Sequence, residues 1–199
     1  GRLYACACSR QDLTHPTATP TAARRYPGTC RDRGLPLDGP HAWRVKLDGE
    51  RRVPWQDLLV PEAHTPTDVE GGDPVIRDRK GNWTYQFSVV IDDWDQEIDL
   101  VVRGLDLAAS TPLQLQLAAM LGRPDRPRFA HHPLVMRSAT EKLSKSSGDT
   151  GIAALRAAGC TAEDVTCRAA AAVGLVVGRG PFSRDQLATH IARQLNAHS

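Results

Sequence analysis

The chain has 199 residues, 25 basic against 23 acidic, a formal net charge of +2 and 41% hydrophobic residues. This balance excludes a disordered chain, a collagen-like repeat and a polycation that binds nucleic acid by bulk charge. The longest apolar stretches, such as Ala169–Val177, are too short to cross a bilayer, and the length suffices for a sizeable core or for one domain with a small second one.

Gly1–Cys6 has neither the charge nor the apolar run of a signal peptide, and an opening Gly1 reads as a piece of something longer. The five cysteines are Cys6, Cys8, Cys30, Cys160 and Cys167. An odd, lopsided set predicts a reducing, cytoplasmic setting rather than a disulfide scaffold. Cys6-x-Cys8 can place two sulfurs on one ion, and the loop can return Cys30 to it. Tetrahedral zinc then needs a fourth ligand. Tyr26, His15, Asp12, Asp32 and His41 are the nearby candidates, and ligand chemistry alone leaves the choice open. No general base clusters here, so a structural metal fits better than a catalytic one; the bland alternative is three ordinary thiols. Cys160 and Cys167 lie in a small-residue helical stretch and are expected to be buried and inert.

Residues 1–42 have little periodicity and many turn formers. Ala42–Leu47 alternates and predicts a strand, and Asp48-Gly49 predicts a turn into Arg51–Val53, a hairpin. Val60–Asp73 reads as a connector. Pro74–Arg77 is a strand candidate, and Lys80-Gly81-Asn82 turns into Trp83–Ile91. The apolar, β-branched run Ile98–Val102 predicts a fully covered strand. Arg103-Gly104-x-Asp106 follows at its carboxyl end, where open α/β sheets bind ligands. Thr111-Pro112-Leu113-Gln114 predicts a helix start with a capping box, Gly122 and Pro124 its end, and Leu113, Leu117, Met120 and Leu121 its apolar stripe. Pro133–Met136 is a further strand candidate. From Gly151 the pattern is helical, over about 151–158, 162–176 and 184–197, with Thr161 and Ser183 as caps. Trp43, Trp55 and Trp83 read as packing or rim residues. Arg51-Arg52 and Arg77-Asp78-Arg79-Lys80 suit either a solvated face or RNA phosphates.

The sharpest motif is Lys142-Leu143-Ser144-Lys145-Ser146, then Ser147-Gly148. Two lysines three apart in a small, polar loop can bring two cations to a polyphosphate, although alone the motif also describes a surface loop. It resembles the KMSKS signature of class I aminoacyl-tRNA synthetases, with Leu in the second place. Gly72-Asp73-Pro74-Val75-Ile76-Arg77, Thr84-Tyr85-Gln86-Phe87, Val89-Val90-Ile91-Asp92-Asp93 and Val102-Arg103-Gly104-x-Asp106 resemble the glutamyl branch of that class. So do Ser110-Thr111-Pro112 and Phe129-Ala130-His131-His132-Pro133-Leu134, in matching order from Gly72 to Ser146. Cys6-x-Cys8 with Tyr26-x-x-x-Cys30 is similar to the zinc site of the glutamyl-queuosine tRNA(Asp) synthetase subfamily, held by three cysteines and a tyrosine. The resemblance selects Tyr26 over His15.

That resemblance implies an α/β fold: the second half of a Rossmann-type class I catalytic core, with a zinc-bearing insertion and a small C-terminal helical region. The implied divisions are a zinc-containing region at 1–71, the catalytic part with its lysine loop at 72–150, and helices at 151–199. It implies a ligase that activates L-glutamate with ATP and passes the glutamyl group to the queuosine base at the wobble position of tRNA(Asp), docking the anticodon loop. Zinc, and magnesium with ATP, are the implied cofactors. Lys145 stabilises the transferring phosphate with Lys142 in support, Ser144 joins them at ATP, Tyr85 and Arg103 bind glutamate, and Asp106 orients Arg103 or meets ribose. Asp92 and Asp93 suit capping as well as a site. The alternatives are a catalytic-domain fragment of a glutamyl-tRNA synthetase charging tRNA(Glu), and a non-catalytic zinc- and tRNA-binding module.

Class I synthetases also carry a HIGH signature, and nothing in these residues resembles it. The expectation is therefore the C-terminal two-thirds of such an enzyme, incomplete alone, with the N-terminal portion of the catalytic domain supplied as a partner. No membrane partner is expected.

Overall fold

The structure is a computed structural model that describes residues 1–9, 12, 26–47, 52–60, 67–68, 72–136, 151–172 and isolated positions between 183 and 193. In chain order its elements are β1 (Leu3–Cys6), β2 (Ala42–Val45), β3 (Arg52–Val53), β4 (Thr67–Asp68), β5 (Val75–Arg77), α1 (Tyr85–Asp95), β6 (Leu100–Gly104), a 3-10 segment (Leu105–Ser110), α2 (Thr111–Leu121), β7 (Arg128–His132), α3 (Ile152–Ala157) and α4 (Ala162–Ala172). They fall into two compact units. The first is Gly1–Asp57, Pro61–Val101 and Leu107–Arg128; the second is Leu58–Val60, Val102–Asp106 and Phe129–Ser199.

In the first unit Tyr4, Ala5 and Cys6 are consecutive and all buried, so β1 is covered on both faces. It pairs antiparallel with β2, Leu3 opposite Val45 and Cys6 opposite Ala42. β2 pairs antiparallel with β5 on its other side, with a register shift between Trp43 and Arg44. The expected hairpin from β2 into 51–53 is not formed. Both edges of β2 are taken, and β3 pairs with β4 instead. β4 lies in the stretch read as a connector.

The turn at Lys80-Gly81-Asn82 leads through Trp83 into the helix α1. Thr84 stands before α1 with extended backbone, and its Oγ1 donates to the Val75 carbonyl at 2.8 Å, joining the helix start to β5. α2 begins at Thr111 with Pro112 in its first turn, where a missing N–H costs nothing, and ends at Gly122. The Gln114 side chain reaches α1: its Nε2 donates to Gln86 Oε1 at 2.6 Å, and Gln86 Nε2 donates to Ser110 Oγ at 2.8 Å. Leu117 and Ala118 of α2 pack with Ile76 and Val90, and Trp43, Val45, Phe87 and Leu113 close around them. Leu121, placed in the apolar stripe, is exposed.

β6 pairs only with β7 among the described residues. Val102 is 63% exposed, so the strand is not fully covered. β7 lies over Arg128–His132, earlier than the Pro133–Met136 expected. In the second unit α3 and α4 fall where the helical pattern begins. Thr161 N–H donates to Asp164 Oδ2 and Asp164 N–H to Thr161 Oγ1, a reciprocal cap ahead of α4. Ser183 and Gln186 exchange the same pair of bonds. Cys160 and Cys167 are part-exposed rather than buried.

Candidate metal centre and amino-acid-binding residues

β1 ends at Cys6 and carries Cys8 two residues on. The turn at 28–33 brings Cys30 back, and Tyr26 stands just before that turn. Cys6, Tyr26 and Cys30 are buried and pack with Tyr4, with Cys8 and Leu35 at the edge. The sulfurs of Cys6, Cys8 and Cys30 lie within 4.8 Å of one another. Cys8 Sγ is 3.6 Å from Cys30 Sγ, and Cys6 Sγ is 3.6 Å from the Tyr26 oxygen. A disulfide is excluded at that spacing. The edge of a tetrahedron built from Zn–S of about 2.3 Å and Zn–O of about 2.0 Å is roughly 3.5–3.8 Å, so the donor set fits a zinc-sized ion.

The protonation pattern follows from the packing. Burial and the Cys30 side chain push the Cys8 thiol up to about 12. Burial also opposes ionisation of Cys30, but hydrogen bonds from the Ala7 backbone and the Cys8, Tyr26 and Cys6 side chains outweigh it and bring that thiol down to about 7. Burial, then the Cys6 side chain, raises the Tyr26 phenol, whose oxygen accepts the Cys30 N–H at 2.8 Å. The cluster thus favours a thiolate at Cys30 and opposes ionisation of Cys8 and Tyr26, and a divalent ion would relieve that opposition.

The other fourth-ligand candidates are placed differently. Asp12 accepts the Ser9 N–H at 2.6 Å. Asp32 is exposed and meets Lys46 at 3.2 Å. His41 packs against Gly39, where a Cβ would lie 3.1 Å from its ring. His15 is outside the described residues.

The metal loop is held to the sheet by Asp73, which is 2% exposed. Its carboxylate accepts Arg31 Nε and Nη2, both at 2.6 Å, the Tyr4 hydroxyl at 2.6 Å and the Leu47 N–H at 3.1 Å. Burial raises its pKa, but the bonds from Arg31, Tyr4 and Leu47 overcome this and hold it at about 2. Arg44 donates to the Asp73 carbonyl and lays its guanidinium 3.7 Å from the Tyr26 ring centre. Gly72, beside Asp73, has φ +73°, and a Cβ there would lie 2.5 Å from the Tyr26 carbonyl oxygen. Only glycine lets these two backbones meet.

Tyr85 opens α1 in the first unit, 52% exposed. Arg103 lies at the end of β6 in the second unit, 9% exposed. Its Nε donates to His131 Nε2 at 2.9 Å, and its guanidinium lies 5.4 Å from the Phe129 ring centre, with Phe129 stacked on His131. His131 is fully buried. An acceptor Nε2 requires the neutral tautomer with the proton on Nδ1. The sequence reading gave His131 no role of its own; Phe129, Ala130 and His131 are consecutive and all buried in β7. Asp106 folds back over the strand end, and a Cβ on Gly104 would lie 2.7 Å from its Oδ1. Asp92 and Asp93 fall in the last turns of α1. Lys142, Ser144 and Lys145 lie outside the described residues.

The family model described as class I tRNA synthetases (E and Q), catalytic domain, matches residues 2–176. A protein named Glutamyl-Q tRNA(Asp) synthetase from Leptothrix cholodnii is 36% identical over 96% of this chain and 66% of its own length. One of the same name from Aromatoleum aromaticum is 37% identical over 78% of this chain and 48% of its own. A Glutamate--tRNA ligase from an Anaeromyxobacter species is 35% identical over 83% of this chain and 35% of its own. The chain thus spans about half to two thirds of the length of the glutamyl-Q relatives. The family match corrects the expectation of a C-terminal two-thirds lacking the N-terminal part of the catalytic domain. The catalytic-domain model applies from residue 2 to residue 176, so the chain is catalytic domain from its second residue.

Proposed function

From a chain that belongs to the class I tRNA synthetase (E and Q) catalytic-domain family, an α/β Rossmann-type fold with C-terminal helices, we propose that it acts as a glutamyl-Q tRNA(Asp) synthetase. The observation that carries this choice within the family is the Cys6, Cys8 and Cys30 cluster, with Cys6 and Cys30 buried and the Tyr26 oxygen beside Cys6. It is supported by the relatives of that name. Residues 1–71 supply the metal-bearing region, 72–150 the lysine loop and amino-acid-binding residues, and 151–199 the helical region.

Cys6, Cys8, Cys30 and Tyr26 would hold zinc, which would cross-link β1 and the 26–33 loop and take no part in bond making. ATP brings magnesium with it. A glutamate carboxylate oxygen attacks the α-phosphorus of ATP, the bond to the β-phosphate breaks, and pyrophosphate leaves. The glutamyl group then passes to the queuosine base of tRNA(Asp) with release of AMP. The first step needs placement and neutralisation of charge more than a base. Lys145 stabilises the transferring phosphate, Lys142 supports it, and Ser144 joins them at ATP. Arg103 grips a glutamate carboxylate, with its guanidinium plane set by His131 and Phe129, and the Tyr85 hydroxyl donates to the amino acid. Asp106 orients Arg103 or meets the ribose.

The test is glutamate-dependent ATP–pyrophosphate exchange, followed by transfer of labelled glutamate to tRNA(Asp) carrying or lacking queuosine. Transfer only to the queuosine-bearing tRNA is expected. Similarity to the Anaeromyxobacter glutamate ligase favours a second reading, charging of tRNA(Glu). Labelling of tRNA(Glu) instead would establish it. Absence of exchange would leave a non-catalytic zinc- and tRNA-binding module.

A further inference from the structure

In the first unit, residues 37–43 and the turn 77–81 line an open cavity of about 450 Å³, and Trp83 stands outside the lining, next to Trp43. His41, Trp43, Arg77, Asp78, Arg79 and Lys80 are among its lining residues. The catalytic and metal-site assignments use none of them.

The cavity is built rather than incidental. Trp43 Nε1 donates to the Leu37 carbonyl at 2.9 Å and closes the first loop. Asp78 accepts the N–H groups of Lys80 and Asn82 at 2.8 and 2.9 Å and Asn82 Nδ2 at 3.0 Å, which fixes the turn. Those bonds, the Asn82 side chain foremost, hold its carboxyl below the usual range. Arg77 Nε donates to the Gly81 carbonyl, and its guanidinium lies 4.7 Å from the Trp43 ring centre and 5.8 Å from that of Trp83. Arg79 reaches the Ala7 carbonyl. Lys80 is exposed, and Trp83, edge-on to Trp43 at 5.9 Å, is 51% exposed.

Arg77, Arg79 and Lys80 stand against Asp38 and Asp78, the latter already committed to the turn, and this balance makes the mouth attractive to an anion. The Trp83 indole beside them meets Phe87 at 5.3 Å and Trp43 at 5.9 Å and leaves about half of its surface exposed. Cations that track a phosphate backbone next to aromatic rings that take a base are the two parts of a single-stranded nucleic-acid site. The cavity volume is in the range that holds a ligand of nucleotide size.

We propose that this cavity takes an unpaired nucleotide of the RNA substrate, with the phosphate against Arg79 and Lys80 and the base against Trp83 and Trp43. The proposal rests on the tRNA-directed reading above and names a contact surface for it.

The test is binding of fluorescently labelled tRNA(Asp) transcript to the whole chain by anisotropy across a salt series. Unfolding midpoints and metal content serve as folding controls. The double variant Arg79→Ala, Lys80→Ala is expected to weaken binding about tenfold and to reduce the salt slope by about 1.4, the loss of two single-strand phosphate contacts. Trp83→Ala is expected to weaken binding about tenfold or more with the slope unchanged, and Trp83→Phe to restore most of it. Wild-type affinity and slope in the double variant and in Trp83→Ala would overturn the proposal, as would failure of the wild-type chain to bind the tRNA. Exchange measured on the wild-type chain alone separates the two ideas. Exchange with insensitive variants removes the cavity and keeps the enzyme; sensitive variants without exchange keep the cavity and remove the enzyme.

Discussion

Replacing Asp73 by Asn tests the claim that one buried carboxylate fastens the metal loop to the sheet. Asn keeps the shape and one acceptor oxygen but removes the charge that faces Arg31 at two contacts of 2.6 Å. Removing one partner of a buried ion pair costs about 3–5 kcal/mol. Arg31 retains 28% of its side-chain exposure and regains some hydration, which lowers the cost to about 2–3 kcal/mol. The pKa gives a second route to the same figure. Moving the carboxyl from 3.8 to about 2 on folding corresponds to about 2 kcal/mol at 1.36 kcal/mol per pH unit. The folded pKa is the lower one, so this stability is fully present above about pH 4 and is lost as pH falls through about 2. Urea denaturation of the wild type and Asp73→Asn should differ by about 2–3 kcal/mol near neutral pH, and the gap should close on acidification. Metal release in acid affects both chains, so the gap between them is the quantity to follow. A gap below about 0.5 kcal/mol near neutral pH, or one that persists in acid, would refute the role given to Asp73.

Freshly purified reduced chain should hold one zinc by elemental analysis, and Cys30→Ser should lose it and unfold at lower temperature; metal-free wild type would end the assignment. Gly72→Ala should lower both the melting temperature and metal retention, because neither the left-handed backbone nor the Tyr26 carbonyl can yield to a Cβ; an unchanged melting curve would contradict the packing described. Lys145→Ala should slow glutamate-dependent exchange by roughly a hundredfold or more, and near-normal exchange would remove it from the mechanism. His131→Leu should raise the KM for glutamate by about tenfold with little change for ATP, and His131→Gln, which keeps an acceptor for Arg103, should recover much of it; equal effects on both substrates would indicate a merely structural role.

Local signals in the sequence located what depends on local chemistry. The start of α2 at Thr111-Pro112, its stop at Gly122, the Thr161 cap and the 80–82 turn were all legible because each is decided within four or five residues. The metal cluster was legible as a cysteine spacing, and Tyr26 beside it only through family resemblance. What escaped depends on partners far along the chain. β1 is four residues long, and its Tyr4 is anchored by Asp73, 69 positions away. The hairpin after β2 failed because β1 and β5 compete for the same edges, which no turn residue reveals. Gln114 fitted a capping box by spacing, but its bond to Gln86 on another helix lies 28 positions away and no local pattern shows it. His131 stayed unseen because burying a neutral imidazole requires Arg103 opposite it, and no alternation pattern carries that information.

Every proposed metal ligand lies within the first 30 residues, whereas Arg31 meets its carboxylate 42 positions later. On a chain emerging from its N-terminus, the ligands are all present well before Asp73 is made. An ion can close that short loop at a modest entropic cost, which grows only logarithmically with loop length. The clamp then receives a loop already in shape. Metal supply during synthesis would then set the order of assembly. Under scarcity the carboxylate finds no ordered guanidinium, and the thiols of the nascent chain stay open to oxidation in the interval.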